Sequence, residues 1–173
     1  MFYIRKLSKK SNLFKIMDAT SNSNIEADVL KQELGTTRNT LSFWKCDDIT
    51  DLKNAMKAIL LSTTSIETSQ FIVISDEILD KYGIERNYDE KGITGYKGYE
   101  NLHVNLCNLD YGKIGAILNI IKEISGNKDY IPELKRDDVK KYIMEVKRDG
   151  LLDENNIRPE LKFAIEKYCS LTA

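Results

Sequence analysis

The chain has few of the residues from which reactive sites are usually built. Its 173 residues include one histidine, one tryptophan, two prolines and three cysteines. A single imidazole excludes a histidine-based zinc centre, which needs three or four His, Cys or carboxylate ligands. Cys46, Cys107 and Cys169 are odd in number and widely spaced, with no CxxC pair. They form neither a disulfide framework nor a zinc knuckle. There is no N-x-S/T glycosylation acceptor, and Arg5, Lys6, Lys9 and Lys10 interrupt any signal-peptide core. No run approaches the ~18 consecutive apolar residues of a membrane span. These absences predict a cytoplasmic chain with no metal, no cofactor and no membrane partner.

What remains is ordinary core-forming material. The composition is 42% hydrophobic and 31% charged, enough for one folded domain without a covalent staple. The formal net charge is −1, but it is unevenly laid out. Residues 1–17 carry Arg5, Lys6, Lys9, Lys10 and Lys15 with no acid, while residues 18–125 carry 11 basic and 17 acidic groups. A nucleic-acid-binding protein normally shows a broad basic footprint, and only the first segment could supply one. Lysine outnumbers arginine 20 to 6, a bias that suggests an AT-rich bacterial or phage coding sequence.

Periodicity predicts the elements. Residues 2–7 read as a strand, and residues 8–24 as a Ser/Asn/Lys-rich loop holding an apolar knot at Leu13, Phe14, Ile16 and Met17. A helix follows at 25–34, stopped by Gly35. Alternation through Leu41 and Phe43 marks a second strand at 40–44. Leu52, Ala55, Met56, Ile59 and Leu60 form one helical stripe over 50–62. The unbroken run Phe71-Ile72-Val73-Ile74 is a strand buried on both faces, followed by a short helix to about Tyr82-Gly83. Residues 84–105, rich in Gly and Tyr, read as an irregular excursion of a kind that is often functional. Helices are expected at 109–125, 137–149 and from Pro159 onward. The expected architecture is α+β or α/β: a small sheet of about three strands covered by helices, with a helical C-terminal third. A mixed α/β region, 1–105, would carry a helical region, 106–173, packed on it as one compact domain.

Few residues suggest chemistry. His103 could activate Cys107 if 103–107 were helical, with Asp47 as a further polar candidate, but the apolar neighbours of Cys107 fit a packed thiol better. The adjacent acids Asp47/Asp48, Asp89/Glu90 and Asp137/Asp138 point in different directions and serve helix N-termini better than a cation. The stretch Gly92-Ile93-Thr94-Gly95-Tyr96-Lys97-Gly98 lacks the G-K-[ST] ending of a phosphate loop. The polar connection at Arg38 and Asn39, with Trp44 beyond it and Tyr96 on the glycine loop, is the first place to look for a binding surface.

The leading expectation is therefore a non-enzymatic intracellular interaction module, bacterial or phage, acting through a protein partner or as a homo-oligomer. One alternative is a small transferase or hydrolase with Arg38, Asn39, Asp47, Tyr96 and His103 lining a cleft near residues 84–105. Another is a nucleic-acid-binding protein using the basic N-terminal segment.

Overall fold

Side chains alternate across a strand, so a sheet whose strands are apolar at successive positions must bury both faces. The computed structural model, which describes residues 1–48 and 51–172 with side chains through Ser170, has such a sheet. Its strands are β1 (Phe2–Lys6), β2 (Leu41–Cys46), β3 (Ser69–Ser75), β4 (Glu85–Asn87), β5 (His103–Cys107) and β6 (Glu133–Leu134). Their order is β4-β5-β2-β1-β3-β6, and each pair is antiparallel. The first strand of the chain thus lies inside the sheet, between β2 and β3.

Helices cover both faces. On one side α1 (Lys10–Asp18), α2 (Ala27–Leu34) and α5 (Tyr111–Ile124) pack on Tyr3, Phe43, Ile72, Ile74 and Val104. On the other, α3 (Leu52–Leu60), α6 (Arg136–Arg148) and α7 (Pro159–Thr172) pack on Ile4, Trp44, Phe71 and Val73. The short α4 (Asp76–Lys81) follows β3 and is capped by Ser75, whose hydroxyl accepts from the Ile78 N–H. In β3 the residues at 71 and 73 enter one core and those at 72 and 74 enter the other, and all four are fully buried. That is the physical content of the unbroken apolar run.

The sheet is twice the expected size. The expected three strands correspond to β1, β2 and β3, and β4, β5 and β6 are additional. β4 and β6 span three and two residues, too few to show a period. β5 did carry a period of two in Leu102, Val104 and Leu106, but it sits at the end of a segment dominated by Gly and Tyr. The apolar knot at 13–17 also proves to be a helix, α1, with Leu13 and Ile16 buried.

The 88–102 excursion has little regular structure but is tightly held. Thr94 is fully buried and its hydroxyl donates to Ala58 O at 2.7 Å. Gly95 N donates to Leu61 O, Lys97 N to Leu151 O, and Asp153 N to Gly95 O. The loop is thereby sewn between the end of α3 and residues 151–153. At its start, Tyr88 Oη lies 2.7 Å from the buried Tyr3 Oη, which donates to Asp76. Arg86 bonds that same carboxylate and Asp80.

Candidate functional site

Ser42 and Trp44 share one face of β2, and the cross-strand partners of Trp44 and Ser42 on β5 are His103 and Asn105. The indole and imidazole meet edge to face, 5.6 Å between centroids. A glycine in the excursion makes this arrangement possible. A Cβ on Gly92 would lie 2.5 Å from Trp44 Cη2 and 2.8 Å from His103 Cβ, so only a bare backbone fits there. The loop then bonds back to the strand. Asn105 Nδ2 donates to Glu90 Oε2 at 2.7 Å, and Ser42 Oγ donates to Asn105 Oδ1 at 3.2 Å. His103 Nδ1 lies 3.0 Å from the Glu90 carbonyl oxygen. A carbonyl only accepts, so this contact places a proton on Nδ1 and leaves Nε2 as the second functional nitrogen.

Two adjoining cavities of about 240 and 220 Å³ open over this surface and share Ser42, Trp44 and Ser62. The first is completed by Ile93, His103, Asn156 and Arg158, and the second by Arg5, Lys6, Ile59 and Thr63. Among the described residues no carboxylate lines either cavity. Arg158, just before α7, has no acidic partner among the described residues, whereas Lys6 is paired with Glu67 at 2.9 Å. Arg5 donates to two main-chain carbonyls, Ser42 O at 2.8 Å and Glu33 O at 3.2 Å. Its Nε is buried without an acceptor. Burial pushes the Arg5 guanidinium below the ordinary arginine value, with Glu33 opposing the shift. Trp44 is 7% exposed, and its indole N–H has no acceptor among the described residues. The cleft therefore combines one unpaired guanidinium, Arg158, with the Trp44 indole N–H and one exposed apolar side chain at its rim, Ile93.

The residues singled out in the sequence are only partly brought together. Trp44 and His103 are in contact. Tyr96 is buried against Tyr99, ring to ring at 3.9 Å, and bonds Asn54 rather than lining the cleft. Burial, then Tyr99, raises the Tyr96 phenol well above its ordinary value. Arg38 and Asn39 have φ of 53° and 59° and form the tight turn at Thr37–Thr40 that leads into β2. They lie beyond the opposite end of β2 from Asp47, with the strand's own length of about 17 Å between them. The five-residue polar lining suggested for an enzyme is not assembled. Asn39 instead borders a separate groove between α2 and α5.

The His103/Cys107 pairing fails for a simple reason: residues 103–107 are extended, not helical. Four steps of a strand separate the two side chains by about 13 Å. Cys46, at the end of β2, is a packed thiol, pushed up to about 12 chiefly by burial, then by Asp51. The glycine stretch is not a phosphate cradle. The N–H groups of Gly92, Gly95, Tyr96, Lys97, Gly98 and Tyr99 all bond protein acceptors, whereas a cradle must leave them free. Among the described residues no three His, Cys, Asp or Glu side chains converge on one point.

The basic N-terminal segment is largely neutralised. Lys6 pairs with Glu67, Lys10 with Glu133 and Lys15 with Glu26. Sequence reasoning missed Arg158, Ser62 and Asn156, which come from the connections after α3 and before α7, where no periodicity operates. The only signal for Arg158 was its place before the helix-opening Pro159. No protein-family model, curated protein or solved structure matches the chain.

Proposed function

We propose that the protein is a non-enzymatic interaction module that engages a protein partner by taking an anionic side chain into the cleft over Trp44. One observation carries the reading: Arg158, with no acidic partner among the described residues, borders a cavity system whose described lining contains no carboxylate. A guanidinium offers several N–H donors in a fixed plane and matches a carboxylate well. Arg158 is uncommitted, with its guanidinium free to take such a partner. The exposed Ile93 adds an apolar contact beside the charge, as protein interfaces commonly do. The reading places the module in the cytoplasm of a bacterium or phage-infected cell, where its three free thiols stay reduced.

Trp44 is the only tryptophan, so its fluorescence reports directly on the cleft. A short synthetic peptide carrying one glutamate should change the emission saturably, and its glutamine counterpart should not. Arg158→Ala should weaken that binding about tenfold, the loss of roughly one charge-assisted hydrogen bond. Equal responses to the glutamate and glutamine peptides, or an Arg158→Ala variant that binds like the parent, would remove the proposal.

A further inference from the structure

A second cationic pocket borders the same loop and the same helix as the Trp44 cleft. It encloses about 350 Å³ between the 62–66 loop, the start of α6 and the later turns of α7. Its polar lining is Thr64, Ser65, Arg136, Lys140, Lys167 and Tyr168, again without a carboxylate among the described residues. Arg136 and Lys167 have no acidic partner among the described residues. Lys140 pairs only with Asp137, whose side chain is 91% exposed, and its ammonium stands 5.0 Å from the Tyr168 ring. Ser62 and Thr63 face the first site while Thr64 and Ser65 face the second, so one short loop is the wall between them.

We infer that the two pockets are read together, by one extended segment of the partner that carries two acidic side chains about four residues apart. This rests on the cleft reading above and adds the partner's pattern. The spacing follows from α7. Arg158 stands just before the helix and Lys167 within it, nine residues on. At 1.5 Å per residue this is a rise of about 13 Å along the helix axis, an axial offset that an extended chain covers in about four residues. The exposed apolar side chains suit a peptide. Ile93 lines the first pocket at 79% exposure, and Phe163, 68% exposed, lies one turn before Lys167 on α7. A single-stranded nucleic acid would instead want open aromatic faces on which to stack bases. Here the indole is nearly buried and Lys140 already lies over the Tyr168 ring.

The test uses the full chain, Trp44 emission and three synthetic peptides: one glutamate, two adjacent glutamates, and two glutamates four residues apart. The spaced pair should bind at least about tenfold more tightly than the single glutamate, because the second contact forms at high effective concentration. The adjacent pair should show no such gain. The double variant Arg136→Ala/Lys167→Ala should bind the spaced pair only as well as the single glutamate. It should bind the single glutamate as the parent does, which also shows that it is folded. If the single glutamate binds but spacing brings no gain, or the gain survives the double variant, the second site is refuted and the first stands. If no glutamate peptide perturbs Trp44, both readings fall. Tighter binding of a ten-nucleotide oligothymidylate than of the spaced peptide would also overturn the inference, in favour of nucleic acid.

Discussion

At the scale of single residues, Gly92 decides whether the cleft exists. Its missing side chain lets the excursion lie on Trp44 and His103, and the Gly92 N–H is held by Glu100 O at 2.9 Å. Gly92→Ala would drive a methyl into two well-packed neighbours, so loop and indole must separate. The expected cost is about 1–3 kcal/mol, the range for overpacking a filled site. A urea denaturation midpoint would read the loss, and a red shift of Trp44 emission would show the indole gaining water. An unchanged midpoint and spectrum would mean that the loop does not depend on this contact. The place of Trp44 on a half-buried strand was legible in the sequence because the alternation through Leu41 and Phe43 runs up to it. The importance of Gly92 was not, because a glycine beside other glycines in a polar stretch looks like any turn. Arg38 and Asn39 were misleading for the opposite reason. Asn tolerates a left-handed backbone, and the turn geometry alone accounts for their place.

At the scale of elements, α3 and α6 are joined by an ion-paired cluster beneath the packed aromatics. Glu145 on α6 accepts from Lys53 at 2.8 Å and Lys57 at 3.1 Å, and Lys57 is buried. The hydrogen bond from Lys53, opposed by burial and helped by Lys57, holds the Glu145 carboxyl below the ordinary value of 4.5. A depressed carboxylate contributes stability above its unfolded value and loses it as pH falls through the folded one. This junction should therefore weaken below about pH 4.5. Glu145→Gln leaves Lys57 buried without its counter-ion. We expect a loss of about 2 kcal/mol at neutral pH, less than the ~3–5 for a fully buried pair because Lys53 is half exposed. Thermal midpoints between pH 7 and pH 3 would test this: the parent curve should fall more steeply in acid than that of Glu145→Gln. Parallel curves would show that the cluster contributes little. The long helices α3, α5, α6 and α7 were readable from their apolar stripes and caps. The shortest strands were not, because a two- or three-residue strand is created by the edge it pairs with. β6 lies on β3 through Ser69 and Gln70, contacts that no local pattern encodes.

At the scale of the whole molecule, one sheet is shared by two helical layers, and the cleft forms where the second layer is incomplete. α3, α6 and α7 cover Ile4, Phe71 and Val73 fully, but over Ser42, Trp44 and His103 the cover is left to the edge of α3, the pinned loop and the connections at Ser62, Asn156 and Arg158. The helical character of the C-terminal third was visible in the sequence. The strand order was not, because β1 pairs with β3 across about seventy residues and with β2 across about forty. The cleft was hidden for the same reason: Trp44, Ser62, His103 and Arg158 are far apart in the sequence, and only the finished sheet and helix layer bring them together. Because the loop is bonded at both ends, an anion should be received without rearrangement of the rest of the fold. The most direct measurement is a ¹H–¹⁵N NMR titration of the full chain with the single-glutamate peptide. Shifts should concentrate on the Trp44 indole N–H and on the amides of Ser42, Ser62, His103 and Arg158, with the α2/α5 groove beside Asn39 and Tyr111 unmoved. Shifts centred on that groove, or none in the cleft at saturating peptide, would contradict anion recognition over Trp44.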